Sequence, residues 1–197
     1  MRLGYPNVWR QPQGYFGWLA FTGEKAPGEE PGAPRLHPGD PFPACTLVIL
    51  NTSEDLPYLG LPPGTRSFAL EDLEAPYLLV ELYNELCWEC QEMVGAYNRL
   101  HGLIAADPAL AGRVKMLGLG VHTTPRAVAR FRREKRLAFP LFADRPEGVF
   151  TCLGEPELPV LYLLARQKPR GWRIRAVFPG HGETAEKLLG RLRKEMP

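Results

Sequence analysis

One stretch limits what this chain can fold into more than any other: Leu78-Leu-Val-Glu-Leu-Tyr-Asn-Glu-Leu-Cys-Trp-Glu-Cys90. Its apolar run over 77–83, interrupted only by Glu81, reads as a parallel strand buried on both faces. Helical spacing begins directly behind it. Cys90, Met93, Tyr97, Leu100 and Ile104 step by three and four and so share one inward face. That places Cys90 on the buried side and leaves Cys87, at the first turn, nearer to solvent. Two thiols at this spacing can close a disulfide or hold half of a metal site. The strand-to-helix turn favours the disulfide, because a helix N-terminus stabilises a thiolate on the first cysteine. Cys87 is expected as the attacking thiol and Cys90 as the resolving thiol.

The remaining residues narrow the alternatives. Four cysteines in 197 residues are too few for a disulfide scaffold. A zinc site asks for a second close pair or for histidines at ligand spacing, whereas His37, His101, His122 and His181 are scattered. No metal and no cofactor is expected. Cys45 and Cys152 read as buried, inert thiols, or as a disulfide if the compartment is oxidising. A formal charge of +2 argues for neither nucleic acid nor a membrane surface. No apolar run is long enough to span a bilayer. Residues 15–21 are apolar and follow Arg2 and Arg10, but Gly17 interrupts them and no small-x-small cleavage site stands out. A cytoplasmic location is the expectation from that.

Proline and glycine run through residues 1–36 without a helical or strand period, and this segment is expected as an extension carrying six aromatics. Residues 45–50 and 67–70 read as strands forming a hairpin-like lead-in, with 51–55 ending the first. A strand over 114–121 precedes a helix capped by Thr124 with Pro125 at its first position. That helix is strongly basic, and its charges read as a solvated face. A short strand at 139–143 and a turn or two of helix within 147–153 follow. Strands at 160–165 and 172–178, joined by a Pro- and Gly-bearing turn, should pair antiparallel. A helix over 183–194 closes the chain. The order β-α-β-α-β, then β-β-α, predicts a parallel set with the hairpin on its edge.

Taken together, these motifs resemble the thioredoxin fold, and within it the TlpA-like and redoxin proteins. Gly39-Asp-Pro-Phe-Pro43 is similar to the family's entry to the domain. Val80-Glu-Leu-Tyr-Asn-Glu-Leu-Cys-Trp-Glu-Cys90 matches its strand-to-active-site stretch without a gap. Phe139-Pro-Leu-Phe-Ala-Asp144 is similar to a later strand, and Leu158-Pro159-Val160 falls where the family has its cis-proline. The resemblance covers residues 37–197. It implies an α/β domain with a central mixed sheet flanked by helices, acting as a thiol–disulfide oxidoreductase on protein thiols and disulfides with an upstream redox partner. It makes an extracytoplasmic location the alternative to a cytoplasmic one. It gives Glu81 the place of a buried acid that assists proton transfer at Cys90; a surface residue on an edge strand is the other reading of Glu81. Pro159 is either cis, offering backbone beside the disulfide to a substrate peptide, or an ordinary trans proline opening a strand. Leu158 and Trp88 are expected at the substrate, with core packing as the alternative for Trp88.

The chain also departs from that family. Trp88 and Glu89 lie between the cysteines, where the family usually has proline second. Glu85, Glu89 and Glu92 surround the pair, and their charge opposes the helix dipole, so a reductase-like potential is expected. Two rival activities remain at this point. One is a thiol peroxidase, which would want threonine where Asn84 stands. The other is a copper carrier, for which His122 is the only plausible distal ligand.

Overall fold

The computed structural model describes residues 36–144, 146, 148–168 and 171–196. The extension expected over 1–36 lies outside them, apart from Leu36.

Two short strands open the described chain. β1 (Thr46–Val48) and β2 (Ser67–Ala69) pair antiparallel in a two-stranded sheet of their own. The hairpin-like lead-in is therefore present, but it contains a helix that the sequence did not reveal, α1 (Thr52–Leu59). Residues 51–55 begin this helix rather than merely ending a strand. Pro57 concealed it, since a proline inside a helix removes a backbone hydrogen bond. Tertiary contacts hold it instead. Leu56 and Leu59 are buried, and Gly60 closes the helix in the left-handed region at φ 74°.

Asp55, fully buried in α1, accepts from Arg132 at 2.6 Å. Burial raises the Asp55 carboxyl above its ordinary range, and the guanidinium opposes that shift. Removing Arg132 alone leaves a buried carboxylate without its cation. Arg132→Leu is expected to cost about 3 kcal/mol of unfolding free energy in urea titration, with Asp55→Asn in the same chain recovering part of it.

The chain continues through a 3₁₀ turn (Leu70–Asp72) to β3 (Tyr77–Tyr83), α2 (Trp88–Ala106), β4 (Val114–Gly120) and α3 (Pro125–Lys135). It ends with β5 (Leu141–Ala143), the short α4 (Val149–Cys152), β6 (Val160–Arg166), β7 (Trp172–Pro179) and α5 (Ala185–Glu195). Five strands form one mixed sheet in the order β5-β4-β3-β6-β7. β4 runs parallel to β3 and to β5; β6 is antiparallel to β3 and to β7. The hairpin thus adds to the edge of the parallel set, as expected. Residues 39–42 cover its outer strand: Gly39 N–H donates to the Ile174 carbonyl and Phe42 N–H to that of Trp172.

β3 occupies the centre, which explains its lack of polar–apolar alternation. Leu78, Val80 and Leu82 face one core, shared with α1 and the lead-in sheet. Leu79 and Tyr83 face the other, shared with α2, α3 and α5. Each such fully buried side chain contributes roughly 1.5–3 kcal/mol relative to exposure. The inward face of α2 is Cys90, Met93, Tyr97, Leu100 and Ile104, the five positions read from helical spacing.

Candidate active site

β3 ends at Tyr83, and the chain turns through 84–86 before α2 begins. Asn84 builds this turn. Its carbonyl accepts from Cys87 N–H at 3.1 Å, its Oδ1 accepts from Leu86 N–H, and its Nδ2 donates to the Val121 carbonyl, both at 2.8 Å. Its carbonyl and both polar atoms of its side chain are thus engaged in fixing backbone.

Cys87 is the N-cap of α2, and its Sγ accepts the N–H of Cys90 at 3.2 Å. The sulfur therefore sits at the positive end of the helix dipole while half-exposed to solvent. Cys90 is 1% exposed. Burial pushes its thiol well above the ordinary range, and the hydrogen bond with Cys87 and the charge of Glu81 push the same way. The two thiols are not bonded to each other in this structure. The arrangement pairs an accessible sulfur with a sheltered, protonated one.

The loop before β6 closes the site. The Leu158–Pro159 peptide bond is cis, which excludes the ordinary trans proline. The Cys87 thiol points at the Leu158 carbonyl at 3.8 Å. Gly180 holds this loop from behind. Its N–H donates to the Pro159 carbonyl at 2.8 Å, and a Cβ at that position would lie only 2.3 Å from the same oxygen. Tyr97 of α2 donates to the Gly180 carbonyl at 3.4 Å, tying the loop to the helix that carries the cysteines.

Glu81 is 5% exposed on the central strand, so the edge-strand reading is wrong. Burial alone raises its carboxyl from 4.5 to about 8. Its neighbour on β4 is Gly118. A Cβ there would stand 3.5 Å from Glu81 Oε2, 3.3 Å from the Tyr83 ring and 2.5 Å from Leu141 Cδ2. Gly120 plays the same part opposite Tyr83. Sequence reasoning passed over these glycines and Tyr83, although Gly118-Leu-Gly120 inside a strand signals close approach of a neighbour.

The rim combines apolar and acidic groups. Leu86 and Trp88 are 82% and 69% exposed, so Trp88 is not a core residue. Glu89 Oε2 lies 3.7 Å from the Cys87 sulfur. Glu85 accepts from Thr123 Oγ1 at 2.6 Å, and Glu92 is exposed. His122 rests its ring against Phe150, centroids 5.2 Å apart. Among the described residues no three His, Cys, Asp or Glu side chains gather as a metal site, and no helix is long and apolar enough to cross a membrane. Cys45 lies half-buried beside β1 and Cys152 exposed on α4, with no bond joining them.

No family model matches this chain. It is 32% identical over 105 residues to protein disulfide-isomerase A2 of Mus musculus, a match covering 51% of this chain and spanning 18% of that relative's length. Solved structures resemble it over far more of its length. AhpC of Mycobacterium tuberculosis superposes with a TM-score of 0.59 at 18% identity, over 82% of this chain and 99% of its own. A thiol:disulfide interchange protein of the thioredoxin family from Chlorobium tepidum gives 0.57 at 12%, over 82% and 99%. A secreted disulfide oxidoreductase of M. tuberculosis, homologous to E. coli DsbE, gives 0.52 at 15%, over 76% and 95%. The chain has the thioredoxin-like fold.

Proposed function

We propose that this protein is a thiol–disulfide oxidoreductase that reduces disulfides of partner proteins through Cys87 and Cys90. The observation that carries this reading is the placement of the Cys87 sulfur. It caps a helix, is open to solvent, and has a buried second thiol one turn behind it.

The chemistry follows from that placement. The Cys87 thiolate attacks one sulfur of a substrate disulfide. A Cys87–substrate disulfide forms, and the other substrate sulfur leaves as a thiolate that takes a proton. Cys90 must then lose its proton, which its burial opposes. Glu81 takes that proton; with its carboxyl at about 8, both of its forms are accessible near neutrality. The Cys90 thiolate attacks the Cys87 sulfur, closes the Cys87–Cys90 disulfide and releases the second substrate sulfur as a thiolate, which takes a proton from water. Two electrons have passed from the pair to the substrate. A dithiol partner upstream must return them.

Leu158 and Pro159 offer backbone to an extended substrate segment at the sulfur, by strand addition. Trp88 gives that segment an exposed apolar surface on the other side. The acidic group beside the sulfur, Glu89 with its Oε2 at 3.7 Å, supports the reducing direction.

The test is the fraction of Cys87–Cys90 disulfide across a thiol redox buffer, read by alkylation and mass spectrometry. A reversible two-electron transition is expected, with a midpoint closer to about −270 mV than to about −120 mV, the range separating reductants from strong oxidants. Failure to form the disulfide at any poise overturns the reading.

A further inference from the structure

Under that reading the Cys87 sulfur must stay at the cap of α2 through every exchange, yet the turn that delivers it is thinly packed. Leu86, directly before the cysteine, is 82% exposed, and Asn84 and Glu85 are only half-buried. Hydrogen bonds hold the turn instead.

The peptide between Glu85 and Leu86 is gripped at both ends. Its N–H donates to Asn84 Oδ1 at 2.8 Å, and its carbonyl accepts from Gln91 Nε2 at 3.0 Å. Gln91 also donates its own backbone N–H to the Cys87 carbonyl at 3.2 Å. One residue of α2 thus holds the carbonyls on either side of the Leu86–Cys87 peptide. A glutamine amide has a donor at one end and an acceptor at the other, and only the donor can bond a carbonyl. Lys135, the last residue of α3, makes that choice. Its ammonium donates to Gln91 Oε1 at 3.0 Å, and an ammonium can only donate. The amide oxygen is therefore committed to Lys135 and the nitrogen to Glu85. Asn98, further along α2, places the lysine. Its Nδ2 donates to the Arg136 carbonyl at 3.1 Å, and its Oδ1 accepts from Ala138 N–H at 2.9 Å. Before the other end of α3, Thr123 donates to the Glu85 carboxylate at 2.6 Å.

We propose that Gln91, with its amide oriented by Lys135, is a positioning residue for Cys87. It locks the 84–86 turn so that the sulfur keeps the Cys90 N–H, 3.2 Å away, and the positive end of the helix. It acts through the backbone of the turn and not on the reacting sulfur. Without this brace the turn loosens, the cap bond is made for less of the time, and the thiolate loses part of its stabilisation.

Gln91→Leu removes the amide at similar volume, Lys135→Met removes the ammonium and keeps the stem, and Lys135→Arg keeps a cationic donor. Each leaves Cys90 and Glu89, the titratable groups bonded to the sulfur, in place. The reduced full chain is alkylated with iodoacetamide, and the Cys87 peptide is followed by mass spectrometry apart from those of Cys45 and Cys152. Gln91→Leu is expected to slow Cys87 alkylation about fivefold at pH 7, the worth of one cap interaction. At pH 10, where an ordinary thiol is ionised, it should match the wild type. Lys135→Met should slow the pH 7 reaction about twofold, the low end for one hydrogen bond, and Lys135→Arg should restore it. Unchanged alkylation at pH 7 in both Gln91→Leu and Lys135→Met overturns the brace. Slowing by Lys135→Met alone also overturns it, since that is a direct effect of charge. So does equal slowing at both pH values with a lowered Tm, which is the signature of lost packing. Alkylation of the reduced chain does not require the Cys87–Cys90 disulfide to form. Absence of that disulfide in the wild type at every poise is therefore a failure of the oxidoreductase reading, separate from failure of the brace.

Discussion

Replacing Cys90 with serine is expected to leave the first exchange intact and to stop the second. Cys87 keeps its place as cap of α2 and its open approach, so attack on a substrate disulfide proceeds. No thiol then stands behind it, and the Cys87–substrate disulfide accumulates. Cys87→Ser should behave differently and abolish reaction at the first step. Cys90 cannot take over, since it is 1% exposed and its thiol is held protonated by burial. Loss of turnover in both variants should be on the order of 10³-fold or more, the scale on which removing a nucleophile acts. Non-reducing gels with a disulfide-bonded protein substrate check this: a stable adduct for Cys90→Ser, none for Cys87→Ser. Retained turnover in Cys87→Ser would exclude the proposed mechanism outright. An adduct forming equally with both variants would remove the distinction between attacking and resolving thiols.

The contrast between an accessible Cys87 and a buried Cys90 was legible in the sequence because it depends on periodicity alone. Once Cys90 is grouped with Met93, Tyr97, Leu100 and Ile104, its burial follows, and Cys87 is left at the helix start. The central strand was equally readable, since seven residues with one charge fit only a sheet covered on both faces. The helix α1 was not, because its stability lies in contacts distant in sequence, above all Asp55 with Arg132. No local pattern reports such a pair, and Pro57 argued against a helix. The basic face of α3 was read as solvated, yet Arg132 within it turns inward to that carboxylate. The glycine pair of β4 was visible but unread. Its meaning depends on register, Gly118 against Glu81 and Gly120 against Tyr83, which no single strand discloses. Glu81 itself stayed ambiguous between edge and centre until strand order put two neighbours beside it.

Glu81 carries the second large expectation, which couples stability to activity. Its carboxyl is near 4.5 in the unfolded chain and about 8 in the fold, through burial. A raised folded value means that the fold prefers the protonated acid. The stability this gives is fully present below about pH 4.5 and is lost progressively as pH rises towards 8, at up to about 1.4 kcal/mol per pH unit. Above that the ionised carboxylate remains buried at constant cost. Glu81→Gln removes the charge, so its unfolding free energy should exceed that of the wild type by a few kcal/mol at pH 8.5 and converge with it near pH 4. The same change should slow resolution on the order of 10²-fold near neutrality, the usual scale for removing a general base. Urea titrations at three pH values test the first part, and rapid-mixing kinetics the second. A variant that is more stable at high pH and slower to resolve its mixed disulfide identifies a carboxylate retained against the fold's preference. A variant neither stabilised nor slowed would show that Glu81 is ordinary in acidity and idle in proton transfer. Coincidence of the two effects is the informative result, because core substitutions usually lower stability, whereas this one should raise it while costing activity.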